Sequence, residues 1–229
     1  MFYFNPLYFV FALPALLLGM YAQYRVSSAY NRFSRERNRA NISGLEAAQR
    51  LLSVAGLQSV GVSETQGQLS DHYDPRNKRL FLSSGVARNP SVAALGIVAH
   101  EVGHAVQDQQ DYAPMKLRSA IVPAVQIGSW LGPLLFLAGL LLNLARVPEI
   151  GLILFSTTLV FALVTLPVEF NASNRAVALL RQAGLTSATE ERGVQSVLSA
   201  AALTYVAAAV QALSTILYYL FLLGGRRRR

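Results

Sequence analysis

Four long runs without a charged residue constrain the fold of this chain more than any other feature. They occupy residues 2–24, 121–145, 150–168 and 193–225. A helix needs about 20 apolar residues to cross the hydrocarbon core of a membrane, and only the third run is near the lower limit. Only 14% of all residues are charged, against roughly a quarter in average soluble proteins. We therefore predict a mainly α-helical membrane protein with about four transmembrane helices, at 2–24, 121–145, 150–168 and 198–223.

The segments between the runs predict the orientation in the membrane. Residues 25–120 and 169–192 lie on one side, because two spans separate them, and together they hold 15 of the 20 Lys and Arg residues. By the positive-inside rule we expect both segments in the cytoplasm. We also expect the segment 169–192 to form a helix of its own, which begins after Pro167 at the end of the third span. The basic tail at 224–229 disagrees, since four complete spans place it on the opposite side. We interpret this tail as an anchor at the membrane edge and expect no nucleic-acid partner, because no basic stripe with interleaved aromatic residues accompanies it.

The first run is not typical of a secretory signal, since it lacks a basic beginning and a clear small-residue cleavage site. We expect an uncleaved anchor. Together the runs predict an integral, multi-pass protein of the cell (inner) membrane, with the lipid bilayer as a partner.

Helix signals in the segment 25–120 predict a small folded α+β subdomain. Residues 43–46 (Ser-Gly-Leu-Glu) form a capping box that begins a helix, and Gly56 is placed to end it. The Asn-Pro pair at 89–90 predicts the start of a second helix, with Asn as cap and Pro in the first helical position. This second helix should run to about Gln107.

Strand signals lie between these two helices. Residues 60–62 alternate apolar and small side chains, and 67–83 is typical of two extended stretches around a turn at 74–77. Residues 79–83 have one apolar face. We expect this stretch to form an exposed edge on which a peptide substrate adds as a further strand.

The main candidates for metal binding and catalysis are in His100-Glu101-Val102-Gly103-His104, an HExxH pattern inside the second predicted helix. Its spacing places two imidazoles one turn apart on the same helix face, where both can ligate one zinc ion. Glu101 is displaced around the helix and can reach metal-bound water rather than the metal. The chain has no cysteine, which excludes a thiol nucleophile and any Cys-ligated metal site.

A catalytic zinc normally has a third protein ligand, and the residues alone leave two main candidates. Asp108 lies one turn past His104 on the same helix and cannot easily bend back, and Glu149 is on the wrong side of the membrane. Two candidates for the third ligand remain equally good. They are Glu169, which follows the third span, and His72, which lies in the turn-rich segment. The carboxylates that complete the candidate set are Asp71, Asp74 and Asp111.

Three sequence stretches resemble the YugP-like neutral zinc metallopeptidases, which are small membrane proteins. They are 67–75 (GQLSDHYDP), 99–107 (AHEVGHAVQ) and 169–173 (EFNAS), and the likeness extends to the hydrophobic layout and to 200–207 (AAALTYVA). More distantly, the arrangement is similar to the HtpX and CAAX-prenyl-protease metallopeptidases, which use HExxH and a glutamate from a later helix.

The resemblance implies a zincin-like site with His100, His104 and Glu169 as ligands of one zinc ion per chain, and Glu101 as the catalytic acid/base. The distant group carries Asp four residues beyond the ligand glutamate, whereas this chain has Ser173 there. A carboxylate contact to a zinc histidine cannot be carried over, so another residue is expected to orient His100 or His104.

The resulting hypothesis is a membrane-integral zinc endopeptidase that hydrolyses peptide or membrane-protein substrates at the membrane–cytosol interface. Glu101 would activate the zinc-bound water, and His72 is a candidate donor to the tetrahedral oxyanion. Tyr73 and Tyr205 are further candidate donors. The alternative is a catalytically silent membrane adaptor or assembly factor with a structural zinc site, in which His72 is the fourth ligand.

Overall fold

A computed structural model of the protein describes residues 7–226. The first residues of the predicted first span (2–6) and the last three residues of the basic tail (227–229) lie outside this range. The helices are α1 Leu7–Phe33, α2 Gly44–Val54, α3 Ser84–Ala87, α4 Val92–Gln109, α5 Ala113–Leu141, α6 Val147–Gln182 and α7 Ala188–Arg226. The strands are β1 Gly61–Thr65, β2 His72–Asp74 and β3 Arg79–Ser83.

Four helices, α1, α5, α6 and α7, are long and apolar enough to cross a membrane. The prediction of a mainly helical, multi-pass membrane protein is thereby confirmed. Helices α1, α6 and α7 are longer than the uncharged runs, because helical turns that contain polar residues continue beyond the apolar stretch.

The prediction of a separate helix at 169–192 is wrong. Helix α6 continues through Pro167 to Gln182, and α7 already begins at Ala188. Long apolar helices tolerate an internal proline, so Pro167 does not mark a boundary. The start of α7 is a capping box in which the Ser187 and Glu190 side chains each accept a hydrogen bond from the other's backbone N–H.

The chain divides into two compact units, described here one at a time. The helical unit comprises the described part of Met1–Ala22, Lys116–Leu166 and the described part of Thr204–Arg229. The mixed unit comprises Gln23–Met115 and Pro167–Leu203.

Glycines bring α5 and α6 into close contact within the helical unit. A Cβ atom at Gly132 would lie 2.7 Å from the Phe155 backbone nitrogen, and one at Gly151 would lie 2.5 Å from that of Phe136. Small residues of this kind let membrane helices approach backbone to backbone, where van der Waals contact replaces the missing hydrophobic drive. The ring of Phe136 also stacks on Tyr219 of α7, at 3.8 Å between centroids.

The mixed unit contains a three-stranded sheet in the order β1-β3-β2. Strand β3 pairs parallel to β1 and antiparallel to β2, with Leu80 and Leu82 fully buried beneath it. The prediction that 79–83 is an exposed edge is therefore wrong, because β3 is hydrogen-bonded on both sides. Alternation of apolar side chains identified the buried face but carries no information on strand order.

The two predicted helices of this unit are present, with one corrected boundary. Helix α2 begins with the Ser43–Glu46 capping box, and Gly56 follows its end with a φ of +71°. The cap of α4 is Ser91 rather than Asn89, whose side-chain amide instead donates to the Ser34 carbonyl at 2.9 Å. Helix α4 is buried along most of its length, which places the HExxH motif in the interior of the unit.

Candidate metal centre

Three ligand atoms from α4 and α6 converge in the mixed unit. Oε2 of Glu169 lies 3.1 Å from Nε2 of His100 and 3.5 Å from Nε2 of His104. Within residues 7–226, these side chains form a group of His and carboxylate residues whose ligand atoms all lie within 4.8 Å of one another. The structure thus brings together the three residues that the resemblance implied as ligands.

The donor set fits a zinc ion. Two imidazole nitrogens and one carboxylate oxygen are ordinary zinc ligands, and three protein ligands leave a position open, as in catalytic sites. The Nδ1 atoms of both histidines have other partners, Ser173 Oγ at 3.2 Å from His100 and Gln107 Oε1 at 3.0 Å from His104. Both Nε2 atoms are therefore the ones that face Glu169.

A glycine inside the motif lets the two helices approach. A Cβ atom at Gly103 would lie 2.6 Å from the backbone oxygen of Ala172 on α6, closer than real Cβ contacts allow. Gly103 is one residue before His104, and Ala172 is three residues after Glu169. The distance between the ligands consequently depends on the missing side chain at 103.

Glu101 is buried and held by the backbone. Its Oε2 accepts a hydrogen bond from the Tyr73 N–H at 2.9 Å. Burial raises the pKa of Glu101 to about 7, with the charges of Glu169 and Asp71 adding to the increase and His100 opposing it. A carboxyl group with a pKa near neutrality can both accept and return a proton.

Tyr73 fixes β2 to α4 at a second point. Its hydroxyl donates to Asp108 Oδ2 at 2.6 Å, and Lys78 forms an ion pair with the same carboxylate. Burial, followed by this hydrogen bond, raises the pKa of the Tyr73 phenol. Asp108 therefore anchors the strand that holds Glu101, and it is not part of the three-ligand group.

His72 does not join the three-ligand group. It lies exposed on β2, its ring stacks on Phe81 at 4.8 Å between centroids, and its Nδ1 is 2.9 Å from the Ser70 carbonyl oxygen. The choice between His72 and Glu169 as third ligand accordingly favours Glu169. Tyr205, the other tyrosine considered as a donor, belongs to the helical unit.

The remaining acidic candidates have other partners. Asp71 accepts hydrogen bonds from the backbone and hydroxyl of Ser83, and Asp74 accepts from the turn residues Arg76 and Asn77. Each of these two carboxylates stabilises a local feature of the β2–β3 region.

Sequence reasoning did not name the residues that contact His100 and His104. A residue other than Ser173 was expected to orient one of these histidines, and Gln107 does contact His104, but the Ser173 hydroxyl also contacts His100 Nδ1. Gln107, three residues after His104, was not considered at all. The sequence did contain a signal for the contact between Gln107 and His104, because residues three apart on a helix share a face.

The chain matches a family model described as "Putative neutral zinc metallopeptidase" over residues 8–224. It belongs to this family of zinc metallopeptidases. It is also 42% identical over 221 residues to the "Putative membrane protease YugP" of Bacillus subtilis (strain 168), with 96% of this chain and 98% of that protein covered. No solved structure matches the chain significantly. The resemblance seen in the sequence is confirmed. The chain is a protease of the zinc metallopeptidase family, and its described residues include four helices apolar enough to span a membrane.

The close approach at Gly103 gives a direct test of the metal centre. We expect Gly103→Ala to weaken zinc binding and to lower the melting temperature, because a methyl group overpacks α4 against the α6 backbone at a cost of about 1–3 kcal/mol. Chelator competition and thermal unfolding of the detergent-purified protein measure the two effects.

Gly96→Ala, also on α4, is the matched control, since its new methyl group would meet Val194 of α7 at 3.3 Å from a side-chain methyl and 3.6 Å from Cα, with no contact under 3.0 Å. Equal zinc affinity in the two variants would contradict the argument.

Proposed function

We propose that this zinc metallopeptidase is a membrane-integral endopeptidase that hydrolyses peptide bonds at the membrane–cytosol interface. One zinc ion per chain would be held by His100, His104 and Glu169. The observation that carries the proposal is the convergence of both Nε2 atoms on Glu169, with the buried carboxyl group of Glu101 on the same α4 helix.

A zinc ion at these ligands would act as a Lewis acid, polarising the scissile carbonyl and lowering the pKa of water. Glu101 accepts the proton of the attacking water and returns it to the leaving amine. Burial raises the pKa of Glu101, which makes it a stronger base for the proton of the attacking water. The Tyr73 N–H keeps the carboxyl group oriented throughout.

The proposed substrates are membrane proteins or segments next to the membrane. Glu169 lies on α6, only two residues after Pro167, and α6 is one of the four helices apolar enough to span a bilayer. A ligand so close in sequence to an apolar span favours chemistry near the bilayer surface.

Two features favour the enzyme over a silent adaptor with a structural zinc site. Structural sites are closed by four ligands, whereas the described residues offer three ligand atoms in one group. A structural site also has no need for a buried, backbone-held Glu101.

Replacing Glu101 separates metal binding from hydrolysis. We expect Glu101→Gln to retain one zinc per chain and to lose about 10²–10⁴-fold in kcat, because the amide cannot accept the proton. His104→Ala should lose the metal as well. Zinc content and proteolysis of a membrane-protein mixture are the measurements, with wild type as reference. Wild-type turnover by Glu101→Gln would refute the mechanism, and a zinc-loaded but inert wild type would support the adaptor.

We also propose that His72 donates a hydrogen bond to the tetrahedral oxyanion. Its support is position, since the next residue, Tyr73, holds Glu101. We expect His72→Gln to keep zinc affinity and to lower kcat by about 10²–10³-fold. Steady-state kinetics with an unchanged kcat would show that the exposed imidazole has no such role.

The proposed cytoplasmic placement rests on the distribution of Lys and Arg, and the absence of cysteine makes it easy to test. We expect Gln49→Cys, on α2, to react with a membrane-impermeant maleimide only after permeabilisation. Ala145→Cys, between α5 and α6, should react in intact cells. Both positions are exposed. Labelling of Gln49→Cys in intact cells would show that the protein has the opposite orientation in the membrane.

A further inference from the structure

Gln107 is the most completely buried polar side chain near the metal centre, with none of its surface exposed. It lies on α4 one turn after His104. A buried amide that lacks partners is costly, so its hydrogen bonds define its orientation. All of its partners are on α4 and α6.

The orientation of the Gln107 amide follows from an arginine. Arg175 Nε donates to Asn171 Oδ1 at 2.6 Å, and a guanidinium has no acceptor, so the oxygen of Asn171 must face this group. Gln107 Nε2 lies 3.0 Å from the same oxygen and 2.8 Å from the Val168 carbonyl oxygen, and therefore donates to both.

This orientation leaves only the Gln107 oxygen for His104. Oε1 is 3.0 Å from His104 Nδ1, and an amide oxygen can only accept. The proton of the neutral His104 ring must then be on Nδ1. The lone pair is on Nε2, the atom that faces Glu169.

The contacts of His100 differ. Its Nδ1 is 3.2 Å from Ser173 Oγ, which can donate or accept, whereas its Nε2 is 3.1 Å from Glu169 Oε2, a carboxylate oxygen that only accepts. Of the two histidines, His104 is thus the one whose Nδ1 partner requires the proton on that atom.

Gln107 also links the two ligand-bearing helices. The carbonyl that accepts from it belongs to Val168, the residue directly before Glu169. One side chain therefore contacts a ligand on α4 and the backbone beside the ligand on α6.

We propose that Gln107 is a positioning residue of the metal centre, which sets the tautomer of His104 and holds it in register with Glu169. The part of this proposal that concerns metal binding rests on the proposed function. Gln107 acts through His104 and touches neither substrate nor metal.

The tautomer is measurable without any metal, because the chain has only three histidines. ¹⁵N-histidine NMR of the full-length apo protein in detergent, at a pH where the rings are neutral, distinguishes Nδ1–H from Nε2–H. His72→Asn and His100→Asn assign the signals. We expect His104 to carry its proton on Nδ1 in wild type and to lose this preference in Gln107→Met. A proton on Nε2 in wild type overturns the proposal, even if the variant fails to fold.

Zinc affinity is the second measurement, by chelator competition on the same protein. We expect Gln107→Met to bind zinc about 10–100-fold more weakly, the range typical of lost contacts to ligating histidines. Gln107→Glu keeps an acceptor for Nδ1 but loses the donor to Val168 and Asn171, so it should retain the Nδ1–H tautomer of His104 while binding zinc more weakly than wild type. Ser173→Ala should lose less than Gln107→Met.

Gln109→Met is the matched control, an identical change at an exposed position of α4, and it should bind zinc as wild type does. Wild-type affinity in Gln107→Met, or loss of the Nδ1–H tautomer in Gln107→Glu, would overturn the proposal. A wild-type protein that shows the Nδ1–H tautomer but binds no zinc would refute the proposed function and leave the role of Gln107 in the tautomer intact.

Discussion

The close contact between α4 and α6 is the interaction on which the metal centre depends. Helix α4 brings His100 and His104 together, but Glu169 lies 69 residues after His100 on another helix. What brings Glu169 to them is the absence of a side chain at Gly103, which lets the Ala172 carbonyl lie against the α4 backbone. A Cβ atom at position 103 would lie 2.6 Å from that oxygen, so any other residue there would have to displace one of the two helices.

The polar groups along this contact form a continuous series. It begins at the surface with Gln110 Oε1, which accepts from Arg175 at 2.7 Å. It continues inward through Asn171 and Gln107 to His104. Because an arginine can only donate, each following donor and acceptor is assigned in turn. Buried networks are stabilising when every member is paired. In this one Arg175 donates to both Gln110 and Asn171, and Gln107 donates to the same Asn171 oxygen from the interior, which leaves the Gln107 oxygen to accept from His104.

The sequence allowed prediction of those features that local patterns determine. The capping box of Ser43 and Glu46 predicted the start of α2, and the HExxH spacing predicted two imidazoles on one face of α4. The uncharged runs predicted four spans. The errors at Pro167 and at β3 share one physical origin, which is that tertiary contacts decided the outcome. Pro167 was read as a boundary because the neighbours that keep α6 helical are not visible in sequence. Strand β3 was read as an edge because its parallel partner β1 is distant along the chain.

The donor that holds Glu101 belongs to the backbone of Tyr73 rather than to a side chain. Every residue except proline would supply that N–H at position 73, so the contact itself does not require a tyrosine. The strand that presents the N–H is held to α4 by the Tyr73 hydroxyl on Asp108. Loss of that hydroxyl would therefore act on Glu101 indirectly, through the path of the strand.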